Sequence, residues 1–385
     1  MRSSRQYTLS HASALILAAV ALGGCADTGY YLQSVSGHLA VVGAARPVDE
    51  LLADTGTPPE LKSRLELAQR VRQFAVTDLG LPDNASYRRY ADLKRRAVVW
   101  NVVAAPEFSL TLKTWCFPVA GCVGYRGYFD EASARAEAAT LKAQGLEVSV
   151  YGVPAYSTLG WMNWLGGDPL LNTFIAYSEG ELARLIFHEL AHQVAYAKDD
   201  TLFNESFATS VERIGGARWL AQRGSDRARA EFTANNERRA QFRVLTQAAR
   251  RALTDIYQEN DPQAPENKEK HALKNAAMKN FRDQYARLRA SWVVASGFAP
   301  ELAERQLAGY DTWVANANNA ALGALAAYDD LVPDFEALFD RFAKEPGSPW
   351  QGFYDAVKRL AKLTVAERKD QLKVEIQKRT EKNGG

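Results

Sequence analysis

His188-Glu189-Leu190-Ala191-His192 sets two imidazoles four positions apart, with a carboxylate beside the first. On a helix such positions share one face, so both rings can bind a single metal ion. Glu189 then stands where it can hold a water at that ion and take its proton. The chain has 5 histidines, and this arrangement arises by chance in on the order of one such chain in a few hundred. The alternative is two core histidines beside a surface glutamate. A metal site needs a third ligand. His11 falls in a leader-like segment, and no ligand pattern surrounds His38 or His271, which read as surface or satisfied histidines. Glu205 is the better candidate. It lies near the start of a second helical stretch, Leu202 to Glu212, after the polar turn Lys198-Asp199-Asp200-Thr201. A helical hairpin there can return Glu205 to the two rings.

The elements that must hold these groups follow from pattern. Leu182 to Ala197 reads as a helix whose other face carries Leu182, Ile186, Phe187, Leu190, Val194 and Ala197. Ser178 and Glu181 form a capping box for it. Upstream, Leu61 to Val76 is helical, started by Thr57-Pro58-Pro59-Glu60. Strands are expected at Ala97–Ala104, Ser109–Trp115, Val123–Phe129, Leu146–Val153 and Thr173–Tyr177, with a helix from Asp130 to Gly145. Thr158 to Asn172 is loop-like. After Gly216 the pattern is helical: Ala217–Leu253, Asn267–Ala295, Pro300–Ala308, Asn316–Leu331 and Val332–Lys344. The charged tail from Val365 is expected to fray.

The first residues are not part of the fold. Arg2 and Arg5 precede the short apolar run Ala12 to Leu22, and Leu22-Gly23-Gly24-Cys25 follows. The run is too short for a permanent span. It resembles a bacterial lipoprotein signal with its lipobox, which implies a lipidated Cys25 tethering the chain to a membrane. Ala26 after the cysteine points to the outer membrane, facing the periplasm, by the same resemblance. The alternative is an ordinary signal peptide cut nearby. No later stretch approaches the length of a second span. A content of 47% hydrophobic and 24% charged residues is that of a globular protein, and a net charge of +2 offers no argument for nucleic acid or an acidic substrate. Cys116 and Cys122 flank a turn-rich insert and read as a local disulfide, worth about 2 kcal/mol on the chain-entropy model.

Here a resemblance becomes specific. H-E-L-A-H followed by L-x-N-E-x-F-A-T-x-V-E, over residues 178–215, resembles the gluzincin metallopeptidases, and the second helix resembles the zinc aminopeptidases. The whole chain resembles the predicted bacterial aminopeptidase lipoproteins. The resemblance implies Zn2+ held by His188, His192 and Glu205, with Glu189 as general base and a peptide or protein as substrate. It implies an α+β fold, in which a zincin-like core with a small mixed β-sheet and the HExxH helix is flanked by predominantly α-helical regions. The expected organisation is a leader at 1–24, an N-terminal helical region at 25–96, the catalytic core at 97–215 and a C-terminal helical region at 216–385. Glu212, two turns beyond Glu205, orients a ligand histidine or is a surface carboxylate. The family adds a Tyr or His donor for the oxyanion. Tyr328 is taken for that catalytic role and Tyr196 as its alternative, with packing the other reading of both. The G-x-M-E-N segment that binds a substrate amine in zinc aminopeptidases is absent. Gly160-Trp161-Met162-Asn163 stands at a comparable place without an acid, and Asp168 is either the substitute or a turn former before Pro169.

Overall fold

The structure, a computed structural model, describes residues 29–117, 121–158, 160, 164, 166–258, 268–296 and 300–377. The leader, Cys25, Trp161-Met162-Asn163, the Tyr328 side chain and the final glycines lie outside the described residues. The chain is mostly helical with small sheets, an α+β protein.

Helix α1 (29–44) leads into strand β1 (Arg46–Pro47), the short helix α2 (Val48–Ala53) and helix α3 (Pro59–Thr77). A proline at N1 starts α3, where its missing N–H costs nothing. β2 (Arg89–Ala91) and β3 (Val99–Pro106) follow, then the hairpin β4 (Trp115–Phe117) and β5 (Gly121–Val123), then β6 (Arg126–Tyr128). Helix α4 (Glu131–Ala143) is capped by Asp130, which accepts from the Ser133 N–H at 2.8 Å. It leads into β7 (Leu146–Val153) and later β8 (Leu170–Leu171). The strands form three small sheets rather than the one mixed sheet expected. β3 lies between β6 and β7, all antiparallel. β2 joins β1 antiparallel and β8 parallel. β4 and β5 pair alone, with Cys116 opposite Cys122 in a disulfide.

Two expected strands are absent. Ser109–Trp115 becomes strand only at Trp115, because Leu110 and Leu112 leave the sheet to pack against the C-terminal helices and β3. Thr173–Tyr177 is a turn, closed by Phe174 and Ile175 N–H groups donating to the Leu171 carbonyl at 3.2 and 2.9 Å. Both side chains are buried, which an alternating strand could not achieve on one face.

The remainder is helical: α5 (Glu179–Ala191), α6 (Thr201–Arg223), α7 (Asp226–Gln258), α8 (Lys268–Ser296), α9 (Pro300–Asn316), α10 (Asn319–Asp329), α11 (Val332–Ala343), α12 (Pro349–Ala361) and α13 (Val365–Gln377). The expected helix across Gly224 is two, α6 and α7. The start of the charged tail, Val365–Gln377, is a docked helix rather than a frayed end, and residues 378–385 lie outside the described residues. In α13, Leu372 is fully buried and Arg368 is 3% exposed. The Arg368 guanidinium pairs with Asp200 and donates to the Leu363 carbonyl at 2.7 Å. The main buried core draws on α2, α3, α5, α6 and α11 to α13, while α7 to α10 build a second core rich in aromatic rings.

Candidate metal centre

The centre is built on α5 and α6, which pack along one another. Gly215 makes this approach possible. A Cβ there would come within 2.9 Å of Phe187 on α5 and 2.7 Å of Leu79. On α5, Leu182, Ile186, Phe187 and Leu190 are fully buried. The helix ends sooner than its pattern suggests. His192 is its C-cap residue, and the chain turns through Gln193 and Val194, whose N–H groups donate to Leu190 and Ala191 carbonyls at 3.1 and 2.9 Å. The Gln193 side chain is drawn out of the helical path to Ser86, Asp168 and Asn84. The capping box does not form either. Ser178 occupies the N-cap position without a side-chain bond, and Glu181 pairs with Arg239 at 2.8 Å.

Asp200 caps α6, accepting from the Phe203 N–H at 2.9 Å. Asn204 closes the connection, accepting from the Ala197 N–H at 2.7 Å and donating to its carbonyl at 2.8 Å. Glu205 is thereby returned to the histidines. His188 Nε2 and His192 Nε2 are 3.2 Å apart, and Glu205 Oε2 is 3.3 Å from the first and 3.8 Å from the second. An ion bound tetrahedrally at about 2.0–2.1 Å separates its ligands by about 3.4 Å. The three atoms therefore fit three corners of one zinc-sized site.

The surroundings complete the fit. Glu212 Oε2 lies 3.1 Å from His188 Nδ1, and its other oxygen pairs with Arg184, which also donates to Asn236 Oδ1 at 2.8 Å. Glu212 is thus no surface group; it fixes the His188 ring so that Nε2 faces the cluster. His192 Nδ1 has no partner among the described residues. Burial lowers the His192 pKa to about 4, so its ring is neutral and keeps a lone pair. Burial opposes charge on His188 too, but the Glu205 and Glu212 carboxylates outweigh it and raise its pKa well above the usual value. The centre thus favours positive charge. Burial also raises Glu189 to about 7, against the opposing pull of His188.

These groups open into a cleft of about 530 Å3, lined by Glu189, His188, His192 and Glu205. Tyr196 lines it as well, and so do residues not singled out in the sequence: Tyr125, Tyr156, Asn101 and His38. Tyr125 lies just before β6, and only the fold turns it toward the centre. His38 is neither exposed nor fully satisfied. It is 8% exposed, its Nδ1 lies 2.6 Å from the Tyr156 hydroxyl, and its Nε2 has no partner among the described residues. Asp168 stands behind the wall at 2% exposure. It accepts from the Thr158 N–H at 3.2 Å and Gln193 Nε2 at 3.3 Å, and burial raises its pKa to about 6. His271 is half-buried and lies 3.4 Å from Glu107.

Fold and centre define an α+β protein with a half-buried two-histidine, one-glutamate cluster and an additional carboxylate at the edge of a cleft. The family described as "Putative aminopeptidase" matches residues 29–372, and the chain belongs to it. No curated protein and no solved structure matches the chain.

Proposed function

We propose that this chain is a zinc-dependent aminopeptidase of gluzincin type, with a zincin-like core around α5 and α6, that acts at a membrane surface in the cell envelope. One observation carries the reading: His188 Nε2, His192 Nε2 and Glu205 Oε2 converge at tetrahedral-edge spacing while Glu189 faces the same cleft. His188, His192 and Glu205 would hold the ion. A zinc ion there would polarise a peptide carbonyl and lower the pKa of its water to about 7. Glu189 takes the proton of the attacking water and delivers it to the leaving amine. Burial raises the Glu189 carboxyl above the usual glutamate range, which favours its taking up a proton. Glu212 orients the His188 ring throughout. Tyr125, Tyr156 and Tyr196 line the cleft and stand beside Tyr328 as candidates for the one donor to the oxyanion. Burial raises the first three, so their phenols stay protonated. The chain is anchored through lipid at Cys25, in the outer membrane and facing the periplasm, and takes a peptide or protein rather than nucleic acid.

An envelope endopeptidase is the second reading. Among the described residues lining the cleft, the carboxylates are Glu189 and Glu205, and neither is free of the centre to meet a substrate amine. The test pairs metal analysis with two peptides, one with a free amine and one acetylated. About one zinc per chain and chelator-sensitive cleavage of the free peptide alone support the aminopeptidase. Equal cleavage of both supports the endopeptidase. Bound zinc without turnover of either leaves a metal-binding lipoprotein.

A further inference from the structure

We propose that the outer face of α1 is a membrane-docking surface, which lays the helix in the lipid headgroup layer with the cleft directly behind it. The proposal rests on reading Cys25 as a lipid anchor. Helix α1 has two unlike faces. The inner one carries Tyr30, Ser34 and His38 at positions i, i+4 and i+8, and all three line the cleft. It is fastened to the strand edge. Gln33 accepts from the Phe129 N–H at 3.1 Å, Arg126 lies 4.1 Å from the Tyr30 ring centre, and a Cβ on Gly37 would meet Phe129 at 2.2 Å.

The outer face presents Tyr31, Leu32, Val35 and Leu39, with Leu32 66%, Val35 58% and Leu39 51% exposed. The whole stretch from Gly29 to Ala45 contains no charged side chain, although 24% of the chain is charged. A helix face meeting water normally carries charge. Cys25 is four residues before the start of α1, so acyl chains on it lie within about 14 Å of the helix. A lipid surface is therefore the occupant nearest this face. An apolar helix face laid in the headgroup layer adds its buried area to the membrane affinity of the acyl chains. With α1 about 10 Å across, the cleft would sit one helix diameter from the bilayer, where membrane-bound peptides are its nearest substrates.

Intact mass of the purified full chain reports acylation and so judges the anchor alone. The helix is judged by spin labels at Leu32, Val35 and Leu39, with Val244 on α7 as control. Labelled protein, acylated or carrying Cys25→Ala, is mixed with phosphatidylethanolamine and phosphatidylglycerol vesicles at millimolar lipid. Labels at the three α1 positions entering lipid in either preparation, with the Val244 label in water, supports the proposal. Labels in water in both preparations overturn it. In the Cys25→Ala chain, changing Leu32, Val35 and Leu39 together to Ser should weaken vesicle association by about tenfold or more, and Val244→Ser should leave it unchanged. Where the Cys25→Ala chain binds vesicles, equal association of the triple variant also overturns the proposal.

Discussion

Glu212→Gln isolates the group that links the centre to its support. Glu212 joins His188 to Arg184, and Arg184 is 7% exposed and also donates to Asn236. Burial acts to raise the Glu212 carboxyl, but Arg184 and His188 outweigh it and bring the pKa from 4.5 to about 2. A folded-state pKa below the unfolded one stabilises the protein at higher pH. That contribution is full above about pH 4.5 and is lost as pH falls toward 2. It amounts to about 3 kcal/mol. The Gln variant keeps the size and one acceptor but leaves Arg184 buried without its counter-charge, so a loss of about 2–4 kcal/mol is expected. Zinc affinity should fall about 10–100-fold, since the His188 ring loses its charged acceptor. Denaturant unfolding at neutral pH and between pH 5 and 2, with zinc titrated against a competing chelator, measures both. The fall in stability below about pH 4.5 should be shallower in the variant. Arg184→Met with Glu212→Met should recover most of the stability and none of the zinc affinity. A Glu212→Gln loss below about 1 kcal/mol with unchanged zinc affinity would refute the reasoning.

Three further outcomes are expected. Glu189→Gln should retain zinc and lose about 100-fold or more in kcat; full activity would remove Glu189 from its proton-transfer role. Cys116→Ser with Cys122→Ser should cost about 2 kcal/mol in denaturant unfolding, and it should loosen the turn before α6, because the Cys122 N–H donates to Asp199 at 2.5 Å. Arg368→Met should cost about 3 kcal/mol by leaving Asp200 without its buried partner. An unfolding midpoint equal to the parent would mean that α13 is dispensable.

Much of the centre was legible because it is local. The spacing of His188 and His192 determines that they share a helical face wherever α5 packs, and thirteen residues carry the chain to Glu205 through a short polar turn. Helices α3, α4, α8 and α11 follow from periodicity, and strands β3 and β7 from their β-branched and aromatic content, with Val99–Ala105 of β3 buried on both faces. Errors arose where distant partners overrode local preference. Gln193 is drawn aside by Ser86 and Asp168, which shortens α5. Glu181 leaves its cap for Arg239. Arg368 and Leu372 are buried by surfaces far away in sequence, so a charged tail becomes a docked helix.

The sequence by itself determined the α+β character and the grouping of His188, Glu189, His192 and Glu205. Tertiary structure decided what surrounds that cluster. Tyr125, Tyr156 and His38 reach the cleft from near β6, after β7 and from α1, and only long-range packing assembles their positions. It also separates Asp168 from the cleft-lining residues and closes Arg184, Glu212 and His188 into one hydrogen-bonded chain. Covalent spacing fixes which groups share a helix, whereas meeting across sheets and helices depends on how apolar faces bury one another.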